Sequence, residues 1–146
     1  PSGGHELILH RSGNIAADIV DDGGQPVSVT ISEGASLSGS NSYTGVTHVN
    51  EGTVEFVTPE ALPDGTDLFV SGGNVELEYE TASKRFAGIR LAEGGRIEGD
   101  FSHRAPILFD RLDIEEGSVE STIAGTGPIF KTTIGEASIT AGSNSR

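Results

Sequence analysis

The chain has no cysteine, methionine or tryptophan. The lack of cysteine removes disulfide frameworks, cysteine-ligated zinc and thiol catalysis. Aromatics are few, six Phe and two Tyr, so any core must be mainly aliphatic. Positive charge is also scarce: nine Lys and Arg stand against 22 Asp and Glu, a net charge of −13. Nine scattered basic residues do not make the positive footprint that a nucleic-acid surface needs. No apolar run approaches the roughly 18 residues of a membrane span. No charged-then-apolar leader opens the chain, which starts at Pro1 and reads as a segment cut or processed from something longer.

Glycine is what the sequence has in excess: 21 of 146 residues, roughly twice the usual share. The apolar share is a modest 34%. Even so, β-branched residues recur at regular places, which favours a folded chain over disorder.

One short phrase repeats: apolar, any, apolar, a polar link, Gly, any, apolar, usually Glu. It runs through Leu7-Ile8-Leu9 to Gly13-Asn14-Ile15, through Val29-Thr30-Ile31 to Gly34, and through Thr47-His48-Val49 to Gly52-Thr53-Val54-Glu55. It returns at Leu68-Phe69-Val70 to Gly73-Asn74-Val75-Glu76, at Ile89-Arg90-Leu91 to Gly95-Arg96-Ile97-Glu98, and at Leu112-Asp113-Ile114 to Gly117-Ser118-Val119-Glu120, with a partial copy at Thr132-Thr133-Ile134-Gly135. The marker glycines 13, 34, 52, 73, 95, 117 and 135 lie 18 to 22 residues apart. Alternation on both sides of each glycine predicts strand, turn, strand, the glycine relieving the bend where φ is positive.

A period near 20 with alternation of period two predicts an all-β solenoid of about seven coils of 18–22 residues. Ile15, Val54, Val75, Ile97 and Val119 are expected to form one inward column, and Leu9, Ile31, Val49, Val70, Leu91 and Ile114 another. At about 4.8 Å per coil the rod would be about 30–35 Å long. A longer repeat sets 13–19 against 117–123 and 35–42 against 137–145. The chain is thus read as a single segment, one unit of about 103 residues over 13–116 followed by the start of the next at 117–146. No stretch holds a helical period for three turns. Thr58 to Leu62 reads as one helical turn at most, and Pro63-Asp64-Gly65 as a plain turn.

The run from Ser38 to Val54 carries Asn41-Ser42-Tyr43-Thr44-Gly45 followed by Thr47-His48-Val49-Asn50-Glu51-Gly52-Thr53. It resembles the autotransporter-associated β-strand repeat, also called the passenger-associated transport repeat. Ala61-Leu62-Pro63 through Leu68 to Gly73 is similar to that family's continuation, and Ile123 through Lys131 to its lead-in to the next copy. Val46 stands where the family has a second Gly, and His48 where it has a Thr. The resemblance implies a right-handed parallel β-helix exported by a Gram-negative-type bacterium, an extracellular or cell-surface place, and a stalk or passenger role. It implies no catalysis and supplies no site residues.

The most distinct constellation is acidic. Glu55, Glu76, Glu98 and Glu120 each follow the inward residue after a marker glycine and should stack on the outside, with Glu78 and Asp100 in a second row. Like charges about 4.8 Å apart repel by roughly 0.9 kcal/mol per pair even in bulk water. The row is read as a solvated, aggregation-resistant face. A calcium ladder and a carboxylate pair acting on glycosidic bonds stand as the alternatives. Asp21-Asp22-Gly23-Gly24, Asp64-Gly65-Thr66-Asp67 and Gly94-Gly95-Arg96-Ile97-Glu98-Gly99-Asp100 read as turns rather than calcium loops. His5, His10, His48 and His103 share no metal-ligand spacing. Lys84-Arg85 and His103-Arg104 are local basic spots that would pair with a neighbour's acidic face. Phe69, at an outward position, and Tyr43, beside Gly45, are the aromatics placed to touch a glycan.

Three functions follow as expectations. The first is a non-catalytic extracellular structural solenoid whose ends stack head to tail into filaments. The second is an adhesin-type module contacting glycan or a cell surface. The third, a polysaccharide lyase or hydrolase, has the least behind it. No cofactor is expected apart from calcium on the acidic ladder, and no nucleic acid or membrane span.

Overall fold

A computed structural model describes residues 4–78, 83–99, 106–121, 123–125, 127–131 and 137–140. They form strands β1 (His5–Leu9), β2 (Asn14–Ile15), β3 (Val27–Ile31), β4 (Ala35–Leu37), β5 (Thr47–Val49), β6 (Thr53–Phe56), β7 (Thr66–Ser71) and β8 (Asn74–Leu77). The later strands are β9 (Lys84–Ala92), β10 (Gly95–Gly99), β11 (Ile107–Ile114), β12 (Gly117–Glu120), β13 (Ile123–Gly125), β14 (Ile129–Lys131) and β15 (Ala137–Thr140). The expected helical turn at 58–62 is a single 3-10 turn, Pro59–Ala61. Among the described residues no helix is long and apolar enough to cross a membrane.

Every second strand pairs with the one a coil later, always in parallel. One sheet runs β1-β3-β5-β7-β9-β11-β13, with β14 also on β11, and the other runs β2-β4-β6-β8-β10-β12-β15. The result is a parallel β-solenoid. Its five full turns are β3/β4 through β11/β12, and the rungs at either end are partial. The seven marker glycines therefore overcount complete coils by the two end rungs.

Alternation explains why these short segments are strands. In β6 to β8 the residues Val54, Phe56, Val75 and Leu77 are fully buried while Glu55 and Glu76 between them reach the surface. Leu9, Ile31, Val49, Val70, Leu91 and Ile114 stack in direct register, as expected. Val54, Val75, Ile97 and Val119 do the same in the other sheet. Full burial of one such side chain contributes about 1.5–3 kcal/mol. No single rung closes a core alone, so neighbouring rungs fold as mutual support.

Ile15 is not in the expected column. It pairs with Leu37, and Leu37 with Phe56, whereas Ala35 heads the column of Val54 and Val75. The phrase around Gly13 is therefore two residues out of step with the others. Linkers between rungs vary in length, and packing rather than count sets which residues meet.

The glycines divide into two roles. Gly34 and Gly52 turn with φ of 97° and 75°. At the next two corners the left-handed residues are Gly72, and Glu93 with Gly94, not the marker Gly73 or Gly95. The markers there serve close approach instead: a Cβ on Gly95 would lie 2.4 Å from the Val70 carbonyl oxygen. Gly135 lies outside the described residues.

Candidate functional site

The acidic row exists. Glu55, Glu76, Glu98 and Glu120 are successive register partners on the outer face of β6, β8, β10 and β12. Its lower half shares one cation, from a residue two positions before the Glu on the same strand. Arg96 reaches Glu98 at 2.6 Å and Glu120 at 2.5 Å. One rung above, Asn74 Nδ2 donates to Glu76 Oε1 at 3.0 Å and to Glu98 Oε2 at 3.2 Å. Asn74 Oδ1 is buried with no hydrogen-bond partner among the described residues. At the upper end Glu55, Glu76 and Glu78 can bring one oxygen each within 4.8 Å of the others. Glu55 and Glu76 are half-buried and Glu78 is exposed. Asp100, expected beside Glu78, lies outside the described residues.

Among the described residues the histidines do not converge. His5 Nδ1 is 3.1 Å from Asp22 Oδ2, His10 is exposed, and His48 stands edge-on to Phe69 with ring centroids 5.6 Å apart. His103 and Arg104 lie outside the described residues.

Two expectations about surface residues are overturned. Tyr43 is 1% exposed, and its hydroxyl lies 2.7 Å from Thr47 Oγ1. Burial pushes the phenol up to about 12, against the smaller opposing effect of the Thr47 hydrogen bond. It is a core residue, not a glycan contact. Lys84 sits at an inward position of β9 and is 3% exposed. Its Nζ donates to the Pro59 carbonyl at 2.9 Å and pairs with Asp64 at 3.0 Å, so it cannot meet a neighbour's acidic face. It ties the 3-10 turn to β9. Arg85 does remain at the surface, paired with Asp110 at 2.6 Å.

The sequence reading missed two polar clamps between rungs. Asn41 accepts from the Ile19 N–H at 2.8 Å and donates to the Ala61 carbonyl at 2.6 Å, joining three successive coils. Asp21, in the turn that the sequence did predict, accepts from the N–H groups of Val27 and Thr44 at 2.9 Å each and from the Thr44 hydroxyl at 2.7 Å. Those donors, Val27 first, hold its carboxyl below the usual value. The available signal was Asx residues recurring in the non-alternating links, where a side chain can replace a missing backbone partner.

Phe69 is at the surface as expected. Its column on the outer face of the first sheet reads Ile8, Thr30, His48, Phe69, Arg90, Asp113, Phe130. The Arg90 guanidinium stacks 5.1 Å from the Phe69 ring centre and pairs with Glu115, and that of Arg111 lies 4.9 Å from the Phe130 ring. Beside Phe69 is a surface hollow of about 220 Å³.

Comparison of the chain with protein-family models, with curated proteins and with solved structures gives no match.

Proposed function

We propose that the chain is a non-catalytic structural β-solenoid, a stiff stalk or passenger segment of an exported bacterial surface protein, whose ends receive further rungs by head-to-tail stacking. The observation that carries this reading is where the exposed aliphatic and aromatic side chains lie. Leu7 and Ile8 are on the first strand, Ile129 and Phe130 on β14 and Ile139 on β15, each 37–52% exposed. Val20, before β3, and Val57, after β6, are as bare, at 55% and 37%, so exposed apolar groups are concentrated on the end rungs rather than confined to them. Among the described residues β1 pairs only with β3, and β15 only with β12, so no described strand occupies the far edge of either.

Open edges above apolar columns are sites for added strands. The Leu7 column ends at Ile129 through Val29, Thr47, Leu68, Ile89 and Leu112. A second copy placed head to tail would continue that column with its own Leu7 on Ile129. Such a contact joins two different surfaces and leads to an open filament. The exported, cell-surface setting rests on the resemblance of 38–54 to the autotransporter-associated repeat.

Light scattering over a concentration series, with electron microscopy of the same samples, tests the reading. The expected result is mass that rises with concentration and rods of uniform width. A monomer at every concentration, with no rods, would overturn the stacking.

A further inference from the structure

The sequence holds two Asp-Gly steps, Asp22-Gly23 and Asp64-Gly65, and no Asn-Gly. At such a step the main chain can rearrange. The glycine nitrogen attacks the carboxyl carbon of the aspartate side chain, one water leaves, and a succinimide ring closes. Glycine suits the attack because it has no Cβ to block the approach. Water then reopens the ring at either carbonyl. One opening restores aspartate. The other gives isoaspartate, in which the main chain runs through the side-chain carbons and the former main-chain carbonyl is a free carboxylate. The water lost in the first step is regained in the second, so no other reactant is needed.

The fold treats the two steps differently. Gly65 N–H donates to the Arg85 carbonyl at 2.8 Å. The Asp64 carboxylate is held at 3.0 Å by the ammonium of Lys84, a side chain only 4% exposed. Ring closure there must break the bond to β9 and leave a buried cation without its carboxylate. Neither restraint acts at Asp22. Gly23 and Gly24, with φ of 57° and 82°, make a two-residue turn closed by the isolated Asp22–Gln25 bridge. The Gly23 N–H donates to no group among the described residues. A Cβ on either glycine would meet nothing within 4 Å, so the turn has room to swing. The Asp22 carboxylate pairs with His5 at 3.1 Å, and both side chains are more than half exposed. Such a pair restrains it little. Turning the carboxyl onto its own glycine opens one bridge, which is a local event.

We propose that Asp22 is a site of spontaneous isomerisation to isoaspartate in the folded protein, and that β9 protects Asp64 through Lys84 and Arg85. The product lengthens by one methylene the link between Asp21 and Val27, whose N–H the Asp21 carboxylate accepts. The proposal does not depend on end-to-end stacking.

The test is incubation of the full chain for several weeks at neutral pH and body temperature, with and without urea. Cleavage after glutamate places Asp22 in 7–33 and Asp64 in 61–76. Electron-transfer fragmentation of each peptide then separates aspartate from isoaspartate. In the folded protein isoaspartate at 22 should exceed that at 64 by about tenfold or more, the effect of holding one glycine N–H and its carboxylate. In urea the two sites should react alike. Asp22→Glu should form no comparable product at 22 and leave 64 unchanged. Equal isoaspartate at both sites of the folded chain overturns the proposal. So does its absence at 22 when the urea-unfolded chain forms it. A contrast that persists undiminished in urea overturns it as well, because local sequence and not the fold would then set the difference.

Discussion

Asn41→Ala removes the clamp between three coils and nothing else of size. Asn41 is 8% exposed. Its loss strands the Ile19 N–H and the Ala61 carbonyl, bonded to it at 2.8 Å and 2.6 Å. Each buried group left unpaired costs about 1–3 kcal/mol. A hollow of about 380 Å³ lined by Ser40, Asn41 and Ser42 adjoins the side chain, so water can reach part of the site and recover some of that loss. The Asn41 and Ser42 backbone bonds, to the Glu60 and Ile19 carbonyls, survive the substitution. The net expectation is a loss of about 2–4 kcal/mol, read from urea unfolding followed by circular dichroism. Asn41→Asp sharpens the test. It keeps the acceptor for Ile19 but sets a second acceptor against the Ala61 carbonyl. It should be at least as unstable as the alanine variant at neutral pH and recover in acid, where the carboxyl gains a proton to donate. An alanine variant within about 0.5 kcal/mol of the parent would refute the reasoning, since that is the range of an ordinary surface change.

Four further outcomes are expected. Lys131 registers with Ile114 and ends the Leu9 column with a charge; Lys131→Ile should tighten self-association by about 10–100-fold in sedimentation equilibrium, the equivalent of burying one aliphatic side chain. Unchanged association there would mean that this column takes no part in end contacts. Arg96→Ala leaves Glu98 and Glu120 stacked without their shared partner, and should cost up to about 1 kcal/mol at low salt, shrinking in high salt; a salt-independent loss would point to packing instead. Calcium should raise the melting temperature no more than sodium chloride of equal ionic strength; a specific rise that vanishes in Glu55→Gln and Glu78→Gln would reassign the upper acidic row as a cation site. Asp21 is the hydrogen-bonded, ionised form in the fold, so its contribution is complete above the ordinary value of 3.8 and lost as pH falls through its lower folded value. The acid limb of a stability–pH curve should therefore flatten in Asp21→Asn, and an identical limb in both proteins would contradict the clamp.

The sequence by itself determined the solenoid and most of its core. Side chains alternate with period two in any strand, so Leu9 to Ile114 and Val54 to Val119 had to face one way and the Glu row the other. Glycine between alternating runs marked the corners for the same local reason. The tertiary structure decided what alternation cannot express. Rung length varies, and the two-residue offset of Ile15 emerges only when Leu37 and Phe56 are packed above one another. Tyr43 and Asn41 lie in a link without period, where only the surrounding coils determine whether a side chain turns inward. Lys84 has the composition of a surface residue, but the strand's phase buries its stem and a neighbouring turn supplies the carbonyl and carboxylate for its ammonium. The meeting of Asp67 with Gly88 depends on a bulge that shifts β7 against β9 by one residue. That shift belongs to the pairing of two distant segments, so it is invisible along either one.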